Sequence, residues 1–311
     1  MLQVARIAPK VLGESAELVS GFFERQFSEE GGACDRAGKA DLYYTIFALA
    51  GLQAVGSDLS TLNCPHGTSD FSPSLESQLS TSSWLRTFGD GHGLDFVHLG
   101  ALARCWAAVG LEKMPTGCAD ALLARIERQR ARDGGYDADI DAGHGNAYGC
   151  FVALGAYQDL QREMPEPLRM VQCLKLLETA DGAWANAIGL KIGSTNATAA
   201  AITVLHQLGI PINSSVGDWL IARAFPQGGF LAMPEAPMPD LLSTATTLHA
   251  LACLERELPT SIRERCLDFI DTLWSAEGGF HGHWADDHLD AEYTFYGLLA
   301  LGHLALTPSA T

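Results

Sequence analysis

The sequence predicts an all-α fold in which six helix pairs close into a double ring, an (α/α)6 toroid. Three observations predict it. One unit, a Gly-Gly stop followed by a polar loop and an acidic or amide cap, recurs from end to end. Its period is near fifty residues, which marks a repeat architecture. Neither end carries a polar capping repeat, so an open stack would leave apolar end faces in water.

The last unit shows the design. Gly278-Gly279 ends one helix, because glycine takes a left-handed backbone without a Cβ clash. Asp290 then caps the free N–H groups of a helix whose apolar face carries Leu298, Leu299 and Leu301. Gly31-Gly32 leads likewise to Asp41, Gly134-Gly135 to Asn146 and Gly228-Gly229 to Asp240. Worn copies run from Asp90-Gly91 to Asp95 and from Asp181-Gly182 to Asn196. These six caps lie 54, 51, 50, 44 and 50 residues apart.

Taken in order, an amphipathic helix spans roughly Val4–Ser28, with Phe22, Phe23 and Phe27 on one face. Inner helices start at the six caps. Outer helices fill Thr116–Arg132, Pro165–Thr179, Ile212–Ala224 and Thr260–Ser275. Between Gly56 and Ser83 the chain is Ser/Thr-rich and reads as an insertion. No composition break interrupts the series, so one domain over 1–311 is expected. If the ring closes, all inner helices run the same way, and their N-termini and cap loops gather at one end of a central cavity.

A formal charge of −17 argues against a nucleic-acid partner, since that affinity rests on Lys and Arg neutralising phosphates. No apolar run reaches membrane-spanning length. Eight scattered cysteines without a CxxC pair read as free thiols in a reducing, cytoplasmic setting.

The motif Gly-Gly-Phe, polar loop, Asp, Thr and apolar helix resembles the repeat shared by protein prenyltransferase β-subunits and squalene/terpene cyclases. Gly278-Gly279-Phe280 through Trp284, Asp286, Asp287, His288 and Asp290 to Leu301 is most similar to the end of a prenyltransferase β-subunit. The resemblance covers nearly the whole chain. It implies a small apolar or isoprenoid substrate, and it offers several chemistries.

The transferases' zinc slots fall here on Asp240, Leu242 and Tyr293, and only the Asp is a usual ligand, so zinc is not expected. The basic diphosphate-clamp slots hold Pro234 and Pro237, which also argues against dependence on an α-subunit. The cyclases instead protonate an alkene or epoxide from the middle Asp of an Asp-x-Asp-Asp run. In that register stands Asp290-Ala291-Glu292-Tyr293, with Glu292 in the acid's slot. The expected machinery is therefore Glu292 as acid, helped by Asp290 and Tyr293, with Asp240 as a further catalytic candidate. Tyr44, His98, His144, Tyr148 and Phe295 are the candidate substrate-binding residues. Asp286, Asp287 and His283 are candidates for a metal, magnesium included. Two alternatives stay open: a prenyltransferase β-like enzyme using an isoprenoid diphosphate, and a non-catalytic toroid that binds an apolar ligand or a protein.

Overall fold

A computed structural model describes residues 1–56 and 81–306. The expected insertion between Gly56 and Ser83 and the thiol of Cys64 fall largely outside them.

Six inner helices form the ring: α4 (Leu42–Val55), α6 (Phe96–Val109), α8 (Ala147–Asp159), α10 (Thr195–Gln207), α12 (Leu241–Cys253) and α14 (Ala291–Ala305). Each packs on the next, and α14 closes onto α4. Six outer helices alternate with them: α3 (Ser15–Arg25), α5 (Thr81–Thr87), α7 (Cys118–Glu127), α9 (Pro167–Leu176), α11 (Ser215–Ile221) and α13 (Thr260–Thr272). Strand-like pairing among the described residues is confined to isolated bridges between loops. The expected toroid is therefore present.

The repeat unit works by a shared device. After the glycines comes a buried residue, such as Phe230 or Phe280. Its backbone N–H donates to the hydroxyl of a buried Thr four residues past the cap: Phe230 to Thr244 at 2.9 Å, Phe280 to Thr294 at 3.2 Å. Ala33 to Thr45 at 2.8 Å and Trp184 to Thr198 at 3.1 Å repeat it. A buried amide that the helix cannot satisfy thereby gains an acceptor. Gly228 and Gly278 adopt φ of 107° and 92°, and a Cβ on either would meet a neighbouring carbonyl at 2.0 or 2.2 Å. Glycine is required there on both counts.

Three expectations need correction. The first helix is broken into α1 (Leu2–Ala5), α2 (Pro9–Leu12) and α3, because Pro9 starts a new turn and Gly13 turns left-handed at φ 55°. Asn196 does not cap α10. Ser194, two residues earlier, does so through its hydroxyl and the Ala197 amide. The outer helices are also shorter than their apolar patterns, their ends passing into the bridged loops. Seven described cysteines are free thiols, mostly buried.

Candidate active site

Small residues on the inner helices, among them Gly100, Ala101, Gly155 and Ala200, leave a central cavity of about 710 Å³. That is within the range of small-molecule sites. Its loop end is aromatic: Tyr43, Phe47, Tyr148, Phe295 and Tyr296 line it. Phe47 stands 5.0 Å from Tyr43, 5.9 Å from Phe295 and 5.5 Å from Tyr296, centroid to centroid. A smaller space of about 160 Å³ lies outside the ring by α9 and α11.

Behind this wall stands Glu292, in the first turn of α14. The Tyr43 hydroxyl donates to its Oε1 at 2.6 Å. Burial pushes the Glu292 carboxyl up to about 7; Asp290 adds to the rise, while the Tyr43 hydrogen bond and Arg36 oppose it. Burial also raises the Tyr43 phenol, so it stays a neutral proton donor and acceptor.

The other candidates divide between wall and frame. Tyr148 and Phe295 line the cavity, and burial with nearby Glu292 pushes the Tyr148 phenol up to about 12. Asp290 is buried; it caps α14 through the Tyr293 amide and accepts from Arg36 Nε at 2.8 Å. Tyr293 lies under Arg36, 5.6 Å from ring centroid to guanidinium, and burial pushes its phenol up to about 12. Asp240 caps α12, accepting from the Ser243 amide and hydroxyl at 2.7 Å each. Burial raises its carboxyl.

His98 is clamped between Asp95, 2.8 Å from Nδ1, and Asp41, 2.9 Å from Nε2. Burial works against its charge, yet the two carboxylates outweigh burial and raise its pKa. It ties the caps of α4 and α6 together and is not on the cavity wall. Tyr44 is also off the wall, its ring edge-on to Tyr43 at 5.8 Å. His144 is exposed, 3.3 Å from Asp133, and does not reach the cavity.

Asp286, Asp287 and His283 do not assemble a metal site, and no group of three or more His, Cys, Asp or Glu among the described residues does. Asp286 is engaged by Arg36 at 2.9 Å and by the His288 and Gly282 amides. Burial opposes its ionisation, but those hydrogen bonds hold its pKa below the usual carboxylate range. Nor do the zinc slots fit that ion. Asp240 is committed to its cap, Leu242 has no donor atom and lines the cavity, and the Tyr293 phenol remains protonated.

Sequence reasoning missed three residues. Tyr43 was visible only as one aromatic among many on the inner helices. Arg36 lies in the polar loop of the first unit, between Gly31-Gly32 and Asp41, and reaches across the ring seam to Asp290 and Asp286. Arg104, in the C-terminal half of α6, lines the cavity and donates from Nε to Asp159, the last residue of α8, at 2.7 Å.

The sequence matches the prenyltransferase alpha-alpha toroid domain over residues 12–86, 96–231 and 198–307. The chain belongs to that family. Among solved structures it is similar to a type II terpene cyclase, MstE from Scytonema, in complex with geranylgeranyl dihydroxybenzoate: 14% identity, 96% and 97% of the two chains covered, TM-score 0.57. It is also similar to protein geranylgeranyltransferase-I of Candida albicans complexed with GGPP: 14% identity, 93% and 90% covered, TM-score 0.62. A protein from Actinoplanes gives 14% identity, 94% and 99% coverage and TM-score 0.59. At such identity the likeness speaks for the fold. A comparison with the curated proteins finds no match.

Proposed function

We propose that this protein is an enzyme that starts the cyclisation or isomerisation of an isoprenoid-type substrate by protonating it in the central cavity. The observation that carries this reading is the Tyr43–Glu292 pair. A carboxyl with a pKa near 7 is hydrogen-bonded to a phenol on an aromatic cavity wall. A general acid works best when its pKa lies near the operating pH.

In the proposed step protonation of Glu292 reverses its hydrogen bond with Tyr43: the carboxyl now donates to Tyr43 Oη, and the Tyr43 proton turns to the cavity. The alkene π electrons take that proton, forming a C–H bond as the Tyr43 O–H bond breaks. Tyr43 regains a proton from Glu292, which becomes a carboxylate. The carbocation lies among Phe47, Phe295 and Tyr296, where ring faces attract positive charge by up to about 2 kcal/mol each when desolvated. A neighbouring carbon then gives up a proton to water, its C–H pair becoming a double bond, and the Glu292 carboxylate takes a proton back from solvent. The proton balance is zero, so no co-reactant is consumed.

Two structural neighbours hold geranylgeranyl compounds in this fold, which supports an isoprenoid ligand. Prenyl transfer from a diphosphate is less favoured. Pro234 and Pro237 supply no cation where the clamp would stand, and Arg36, in the cap loop of the first unit, is committed to Asp286 and Asp290. The proposal needs neither metal nor second subunit.

The test is incubation in D2O with farnesyl, geranylgeranyl and squalene-type polyenes and their epoxides, with products read by mass spectrometry. A cyclic or isomeric product carrying deuterium is expected from the wild type and none from Glu292→Gln. Wild-type turnover by Glu292→Gln, or product without deuterium, overturns the reading. The rate should fall as pH rises through about 7, since the acid form is then lost.

A further inference from the structure

We infer that the end of the cavity opposite Glu292 is a second recognition site, in which Arg104 binds an oxygenated head group of the substrate. The inference rests on the cavity being an isoprenoid site, and it names the class of isoprenoid: one with a carbonyl or carboxylate oxygen at the end remote from the protonated alkene.

The two ends of the cavity differ in chemistry. At the loop end the lining residues are those of the first helical turns, Tyr43 and Tyr148 among them. At the far end the same helices contribute Gln53 and Asp159, joined by Arg104 and Gln207. From Tyr43 to Gln53 on one helix, or Tyr148 to Asp159 on another, the axial separation is about 15 Å at 1.5 Å per residue. An all-hydrocarbon ligand filling that length would strip the far-end polar groups of water and return nothing, which disfavours it.

Arg104 is only partly accounted for by its partner. Its Nε donates to Asp159 Oδ2 at 2.7 Å, tying α6 to α8. Among the described residues neither Nη atom has a hydrogen-bond partner, although the side chain is 44% exposed and lines the cavity. A purely structural ion pair explains the Nε edge and leaves the other edge of the fork unexplained. Gly155 stands beside that edge; a Cβ there would lie 3.7 Å from one Nη. The absence of a larger side chain keeps the fork open to the cavity. A guanidinium edge donates two parallel hydrogen bonds to an oxygen-bearing planar group. Asp159 offsets its charge, and the Met1 amino group, also on the cavity wall, adds a second basic group, so a neutral carbonyl and a carboxylate are both chemically suited.

The experiment measures binding of farnesoic acid, farnesal and farnesene to the full chain by isothermal titration calorimetry. Farnesoic acid, farnesal or both should bind about tenfold or more tightly than farnesene, the scale of charged hydrogen bonds. Arg104→Gln should reduce the preferred probe to the farnesene level. Gly155→Leu, which crowds the fork without removing it, should lower the same ratio, and circular dichroism checks that each variant is folded. A preference for the acid alone makes the head anionic, and one for the aldehyde alone makes it neutral. If neither binds more tightly than farnesene, or if the preference survives both substitutions, the inference is overturned. Binding is read without turnover. Failure of the Glu292 chemistry therefore leaves this result standing, and a lost head-group preference leaves the Glu292 result standing.

Discussion

At Glu292 two opposing influences decide the protonation state. The helix N-terminus favours a carboxylate by roughly 0.3–1 kcal/mol. Burial acts the other way and wins, carrying the carboxyl from 4.5 to about 7. The sign for stability follows. Between those values the folded state binds a proton that the unfolded state releases, so stability falls as pH rises through the window. The full penalty, up to about 3 kcal/mol, is present above pH 7. Glu292→Gln removes it, so urea titration should find the variant more stable than wild type at pH 8, with the gap shrinking toward pH 4. A gap that stays constant across that range would mean the carboxyl is not buried as described. Glu292 was legible because it sits in a motif register. Tyr43, Arg36 and Arg104 were not, because their roles depend on which residue the ring brings opposite them, and one sequence carries no record of that pairing.

Helix ends were legible in kind but not always in place. Asp41, Asp95, Asn146, Asp240 and Asp290 cap their helices as their residue types require. Asn196 was misplaced because a good capping residue stood near the expected spacing. The signal that corrects it is Thr198: the buried Thr stands four residues past the cap at 45, 244 and 294, so a cap at Ser194 keeps the register. Ser194→Ala should therefore cost about 1 kcal/mol in denaturant unfolding, while Asn196→Ala leaves the cap intact. Thr244→Val should cost more, about 1–3 kcal/mol, because the Phe230 amide is left buried without an acceptor. Equal losses for Ser194→Ala and Asn196→Ala would refute the revised register.

Across the whole ring, the seam is held by Arg36, which reaches from the first unit to Asp286 and Asp290 in the last. Asp290 is 3% exposed, so Arg36→Ala leaves a nearly buried carboxylate uncompensated. The expected loss is about 2 kcal/mol, less than for a wholly buried pair because Arg36 is itself a third exposed. Because Asp286 has a depressed pKa, its share is present at neutral pH and is lost as pH falls below the usual carboxylate range. Thermal melts at pH 7 and pH 3 should show the variant's deficit shrinking with acid. A linear array of repeats frays from its ends, each terminal unit opening with little help from the rest. With α14 packed on α4, this molecule has no terminal inner helix. Opening any one inner helix breaks two neighbouring contacts, and the first to open cannot be the one with fewest partners. Native-state hydrogen exchange should accordingly find the six inner helices exchanging together, in one cooperative opening, where an open solenoid would show a graded series running inward from its ends.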